Sequence, residues 1–162
     1  MDKTLVVFGS STGSCEDYAR RIAERISAEV INVTDLNADM LGGYDCLLLG
    51  TSTWGAGEMQ DDWYDGLKVL EQADLSGKTV ALFGCGDAES YSDTFCGGMS
   101  EIYNAVVAKG VAVVGQVDAS TYTYDDSEAV EDGKFVGLAL DVNESDSQID
   151  ERIDNWIAAL KK

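Results

Sequence analysis

Four short apolar runs punctuate the chain: Leu5-Val6-Val7-Phe8, Leu47-Leu48-Leu49, Val80-Ala81-Leu82-Phe83 and Val111-Ala112-Val113-Val114. Each is continuous rather than alternating and partly β-branched or bulky, the pattern of a strand buried on both faces. Val30-Ile31-Asn32-Val33 is a weaker fifth run, expected nearer a sheet edge. Between the runs, apolar residues recur at helical spacing. Ala19, Ile22, Ala23 and Ile26 mark one helix face, and Trp63, Leu67 and Leu70 a second. Ile102, Ala105 and Val106 mark a third, and Ile149, Ile153, Trp156, Ile157 and Leu160 the last. Ser145-x-x-Gln148 predicts a capping box at the start of that final helix.

Strand and helix in alternation, with no internal linker and no sequence repeat, predict one α/β domain over residues 1–162. The expected architecture is a doubly wound three-layer sandwich around a five-stranded parallel sheet in order 2-1-3-4-5. In that order the winding reverses between strands 1 and 3, and ligands bind beyond the carboxyl ends of those strands. The loops after Phe8 and Leu49 should therefore flank a site, with the loop after Phe83 beside them.

Composition narrows the class. At 45% hydrophobic residues the chain is suited to a folded core rather than disorder. No stretch approaches the roughly 20 apolar residues of a membrane-spanning helix. The opening MDKTLVVFGS shows neither a basic leader nor a small-residue cleavage site, which predicts a cytoplasmic address. Four cysteines without a CxxC pair, in a chain without histidine, argue against zinc or haem and for reduced thiols. Of these, Cys46 lies inside an apolar run and reads as core, while Cys15, Cys85 and Cys96 fall at loops or helix starts. Thirty acidic residues against 11 basic ones leave a formal charge of −19. That balance repels nucleic acid and anionic membranes and favours basic protein partners, although solubility or salt tolerance alone would also account for it.

The loop after the first run is Gly9-Ser10-Ser11-Thr12-Gly13-Ser14-Cys15. Its hydroxyls, and the outward-pointing amides of a helix start, can hold an anion without a lysine or arginine. A Ser/Thr-rich turn with Ser14-x-x-Asp17 as capping box is the plainer alternative. No lysine follows the glycines, so a P-loop is excluded, and Gly9…Gly13 does not match the dinucleotide fingerprint. After the third run, Trp54 stands between Thr53 and Gly55-Ala56-Gly57, where a large aromatic can stack on a planar ligand or fold back over the core. Beyond the fourth, Gly84-Cys85-Gly86-Asp87 leads to Tyr91, a second candidate plate.

Together these segments resemble the flavodoxins, small electron carriers that bind flavin mononucleotide (FMN) non-covalently. Thr121 to Asp141 is similar to the loop that splits the fifth strand in the long-chain branch, and DSQIDERIDNWIAALKK to the last helix. The resemblance implies that Ser10, Ser11, Thr12, Gly13, Ser14 and Cys15 wrap the FMN phosphate, with Thr53 contributing. It also implies that Trp54 and Tyr91 cover the two ring faces, and that Cys85, Gly86, Asp87 and the backbone of Thr94 to Cys96 form the rim. Two positions depart from the family pattern. Cys15 stands where threonine is typical, and a thiol is a poorer donor than a hydroxyl. Ser52 stands where some relatives have proline.

On this resemblance the Gly55-Ala56 peptide reorients when ring N5 takes a proton, a change that glycine makes cheap. Glu58, Asp61, Asp62, Asp87, Glu89 and Asp93 would then oppose a second electron. At an effective dielectric of about 20, one charge about 8 Å away costs on the order of 2 kcal/mol before screening. The implied protein is a monomeric low-potential one-electron carrier, not an enzyme, meeting basic faces of a flavoprotein reductase and an acceptor enzyme transiently. An FMN-dependent NAD(P)H:quinone oxidoreductase on the same fold is the competing reading. A phosphoacceptor domain would want aspartate where Leu49-Gly50-Thr51 ends the third run, and a flavin-free interaction module would purify without colour.

Overall fold

The computed structural model describes residues 3–9, 13–54, 58–59, 61–89 and 91–160 (for Trp54 and Glu58, the backbone alone). Its parallel sheet is built from β1 (Thr4–Gly9), β2 (Glu29–Asn32), β3 (Cys46–Trp54) and β5 (Thr79–Gly86), together with the pieces of a divided fifth strand. A short β4 (Glu58–Met59) folds back on β3 as an antiparallel partner. Helices α1 (Ser14–Ile26), α2 (Ala38–Leu41), α3 (Asp62–Gln72), α4 (Met99–Ala108) and α5 (Asp146–Leu160) connect or follow the strands.

The fifth strand comes in two parts along one edge of β5. First β6 (Ala112–Val114) pairs with Thr79–Ala81, then β10 (Leu138–Asp141) pairs with Phe83–Gly86. The sheet order is thus β2-β1-β3-β5-fifth strand, which is the expected 2-1-3-4-5. Between the two parts the chain makes a separate antiparallel sheet in which β7 (Val117–Asp118) and β8 (Val130–Glu131) flank β9 (Lys134–Phe135). The excursion therefore begins before Thr121 and ends before Leu138, because the last four residues of the anticipated loop return to the main sheet.

Continuous apolar runs are explained by two cores. Val6, Phe8, Leu48, Ala81, Phe83, Leu138 and Leu140 point to one face, where Ala19 and Ile22 of α1 and Ile149, Ile153 and Trp156 of α5 cover them. Leu5, Val7, Leu47, Leu49, Val80 and Leu82 point to the other, beneath Leu41, Trp63, Leu70, Met99, Ile102 and Val106. Successive strand residues alternate faces, so a strand packed on both sides needs no polar position. Two edges differ from expectation. Val33 leaves the second strand for a 3-10 turn that the Asn32 side chain caps through the Thr34 amide. Residues of β6 are half-exposed or exposed, since β6 itself is an edge and only β5 lies beside it. Cys46 is half-buried rather than core.

The capping box forms as expected: the Ser145 amide donates to Gln148 Oε1 at 3.1 Å, and the Gln148 amide to Ser145 Oγ at 3.3 Å. All four arginines are tied to carboxylates. Arg21 reaches Asp17, Asp146 and Asp150, and Arg25 reaches Asp150 and Asp154, so α1 and α5 are laced together by an ion-pair ladder. Arg20 holds Glu16 one turn back, and Arg152 holds Glu144. A network of shared, partly buried charges is worth more than isolated surface pairs. Its consequence here is that the guanidinium charge is spent on α1 and α5.

Candidate functional site

Strand register brings three loop origins together. Gly9 pairs with Thr51, Thr51 with Gly84, and Ser52 with Cys85, so β1, β3 and β5 end side by side. The loops that leave these ends therefore converge, as a winding reversal requires. Among the described residues, no group of three or more His, Cys, Asp or Glu side chains could hold a metal ion.

At the first end, Gly13 adopts φ 95°, ψ −12° and is the residue before α1. Only glycine reaches that left-handed conformation without Cβ strain. No side chain caps the helix among the described residues, and Ser14 lies inside its first turn, which removes the Ser14-x-x-Asp17 capping box. The acids of that turn are paired one turn later, Glu16 with Arg20 and Asp17 with the shared Arg21, both at 2.9 Å. A helix start with no side-chain cap among the described residues, and with its neighbouring carboxylates paired, is a place where backbone amides can take an anion. Ser10, Ser11 and Thr12 lie outside the described residues.

Cys15 is fully buried, with the thiol of Cys85 and the backbone of Gly9 beside its own thiol. Burial first, and then Cys85, pushes its pKa well up, so it stays a neutral thiol turned inward beneath the loop. Of Cys15, the side chain belongs to the core and only the amide faces the helix start. Cys85 itself packs under Phe8 and Leu48 in the same apolar layer.

At the second end, β3 and β4 form a hairpin in which Thr53 pairs with Met59 and Trp54 with Glu58. Gly55, Ala56 and Gly57 lie outside the described residues. Thr53 Oγ1 accepts the Gly98 amide at 3.2 Å, which leaves its own O–H able to donate. This single bond ties the hairpin to the start of α4.

At the third end, Gly86 has no room for a side chain, because an added Cβ would come within 2.7 Å of the Cys96 nitrogen. Cys96 is buried with φ 53°, and its thiol points to the Gly84 and Leu140 carbonyls at 3.8 Å each. Burial, above all, raises its pKa well above the ordinary thiol value. It fastens the returning loop to β5 and β10 rather than facing a ligand. Asp87 accepts the Glu89 amide at 3.0 Å, and the Tyr91 amide donates to the Asp87 carbonyl at 2.8 Å. The ring of Tyr91 is then left 59% exposed. A large aromatic this exposed, in a loop that leaves the ends of the central strands, offers a flat apolar plate to a ligand.

Two supports of this loop were not foreseen. Phe95 packs against Tyr122, Tyr124 and Phe135 at ring separations of 5.7–6.0 Å, and the amides of Asp125 and Asp126 donate to the Ser92 carbonyl. The excursion between β6 and β10 thus buttresses residues 91–98; its aromatic density, Tyr122, Tyr124 and Phe135, was the available signal. The second support is the amide of Asn143, which bonds Asp87 and Asp141. No local pattern marks that asparagine. A separate cavity of about 470 Å³ lies between α5 and residues 116–122; Tyr122 lines it, but none of the predicted cofactor-binding residues does. Arg152 within it is already held by Glu144 and lies 3.8 Å from the centre of the Tyr122 ring.

Comparison with known proteins converges on one family. The family model described as Flavodoxin matches residues 6–156. Flavodoxin 1 of Azotobacter vinelandii is 42% identical over 170 residues, covering 100% of this chain and 97% of that protein. Helicobacter pylori flavodoxin is 40% identical, covering 99% of this chain and 98% of that one. The structure of Fusobacterium nucleatum flavodoxin bound to flavin mononucleotide superposes with a TM-score of 0.91 at 31% identity, covering 99% and 98% of the two chains. With the sheet order, the converging loops and full-length similarity in agreement, this chain belongs to the flavodoxin family.

Proposed function

We propose that this protein carries electrons one at a time by means of non-covalently held FMN. The observation that carries the reading is the start of α1, without a side-chain cap among the described residues, at the same carboxyl ends of β1, β3 and β5 from which the exposed ring of Tyr91 is presented. The group fits the donors present. A phosphate suits neutral amides and hydroxyls, and the arginines paired with Glu16 and Asp17 offset part of their repulsion. A flat ring suits Tyr91 and, by the family resemblance, Trp54.

When bound, FMN supplies the one-electron redox chemistry. This chain's residues bind, orient and set the field. The amides of Ser14 and Cys15 and the O–H of Thr53 would be phosphate donors in this reading, with Ser10, Ser11, Thr12 and Gly13 as the family pattern places them. By the family resemblance, Gly55, Ala56 and Gly57 would lie with Trp54 at one ring edge, and Gly86, Asp87 and the backbones of Cys85 and Cys96 would form the opposite rim. The carboxylates of Asp61, Asp62, Asp87, Glu89 and Asp93 disfavour further negative charge there, which lowers the potential for a second electron. Stepwise anaerobic reduction followed in the visible spectrum tests the reading. Two resolved one-electron steps are expected, and a single two-electron step, or turnover of NADH with a quinone by the protein alone, overturns it.

The same reading extends to partners and place. The net charge of −19 supports transient docking, as a monomer, to basic faces of a flavoprotein reductase and an acceptor enzyme. Cysteines outside any disulfide among the described residues are compatible with the reducing cytoplasm. No described helix is long and apolar enough to cross a membrane. Reduction by a basic flavoprotein reductase should slow roughly tenfold between low and high salt, the usual scale of lost steering. A rate independent of ionic strength contradicts the docking proposal and leaves the cofactor reading untouched.

A further inference from the structure

Beyond the last strand, Asp141-Val142-Asn143-Glu144 turns toward α5. Pairing with β5 continues one residue past the sheet, since the Val142 amide donates to the Gly86 carbonyl at 3.0 Å. That extra rung sets Asn143 beside Asp87, a residue 56 positions away in sequence. Asn143 Nδ2 donates to Asp87 Oδ1 at 2.7 Å and to Asp141 Oδ1 at 2.9 Å. Each carboxylate also takes the amide two residues further along its own segment, and Asp141 takes one from across the junction. Asp87 Oδ1 accepts Glu89, while Asp141 Oδ1 accepts Asn143 at 3.0 Å and Ala88 at 3.4 Å.

Two like charges are thereby held within reach of one nitrogen. A neutral carboxamide has two N–H donors and no charge, so it can join two anions and leave the local field negative. An aspartate there would add a third charge, and a lysine would cancel one. The clamped Asp87 is the residue whose carbonyl receives the Tyr91 amide at 2.8 Å. The route from Asn143 to the exposed ring thus consists of one side-chain bond and one backbone turn.

We infer that Asn143 is a positioning residue for the cofactor: it fixes Asp87, and through Asp87 the backbone that presents Tyr91. This rests on the FMN reading above. Asn143 touches none of the proposed phosphate donors, and it acts through the loop after β5 rather than on the ligand.

The test uses the full chain, loaded with FMN and stripped of it. Asn143→Ala should weaken FMN about tenfold in fluorescence titration, the scale of a lost hydrogen bond to a charged group at an accessible place. The visible circular dichroism of the bound flavin should fall with it. Asn143→Asp should be worse than Asn143→Ala, because three carboxylates then crowd one point, whereas Asn143→Gln should recover part of the affinity. Amide exchange in the stripped chain should quicken about tenfold at Glu89 and Tyr91 in Asn143→Ala and stay unchanged in β1. Affinity and dichroism within twofold of the parent, or unchanged exchange at Glu89, overturns the assignment. Should the variants not fold, the unmodified stripped protein decides: the Asn143 side-chain amide protons should give two distinct, slowly exchanging resonances. Averaged, solvent-like resonances refute the clamp. A parent chain that refuses FMN instead refutes the functional reading, while exchange at Glu89 still reports on the clamp.

Discussion

Gly137→Ala should cost about 3 kcal/mol or more of folding stability, a large part of what a domain of this size possesses. Gly137 immediately precedes β10, where the chain re-enters the main sheet after its excursion. An added Cβ would sit 2.2 Å from the Leu82 carbonyl oxygen, 2.6 Å from its carbon and 2.7 Å from its Cβ. Two of these obstacles are backbone of a central strand, so no rotamer change relieves them. Either β10 moves away from β5, losing the Leu138–Phe83 register, or β5 itself deforms. Contrast Gly133, where nothing lies within 4 Å and only its φ of 80° restricts substitution. Thermal unfolding of the FMN-free chain checks the expectation, with a fall of roughly 10 °C for the 162 residues. A loss below 1 kcal/mol would show that the return of the split strand tolerates an extra atom.

Tyr91→Ala should do the reverse, leaving stability alone and weakening FMN. The ring is 59% exposed, so the FMN-free protein should keep its stability to within about 0.5 kcal/mol. If the ring covers the flavin, its loss removes a stacked aromatic area of about 2 kcal/mol, roughly 30-fold in Kd. Tyr91→Phe should stay near the parent, because the contact belongs to the ring. Titration of the two variants with FMN and with riboflavin gives the check: both ligands should suffer alike, since both carry the ring. Parent-like affinity in Tyr91→Ala would remove the residue from the site.

Much of the fold was legible because burial on two faces writes a local signature. Leu5 to Phe8 and Val80 to Phe83 are apolar at every position, and each alternate residue proved to serve a different core. Ser145 and Gln148 were legible for the same reason, as a cap depends on residues three apart. Less was legible at the ends of elements. Val33 was apolar enough for a strand, yet Asn32 captured the Thr34 amide and turned the chain. Cys15, Cys85 and Cys96 looked like loop residues, but their thiols are buried. Whether a side chain at a loop boundary faces inward depends on neighbours that no local window contains.

The family pattern located three loops and their glycines, and the register of β1, β3 and β5 explains why those loops meet. Sequence alone determined the alternation of strands and helices, the acidic surface and the neutral character of the first loop, because these follow from composition and short-range periodicity. Only the tertiary structure decided that Asn143 joins Asp87 to Asp141, that Phe95 rests on Tyr122, Tyr124 and Phe135, and that the fifth strand resumes at Leu138. These pairings span tens of residues, and a contact at that separation is set by strand register and the packing of layers, which periodicity does not encode.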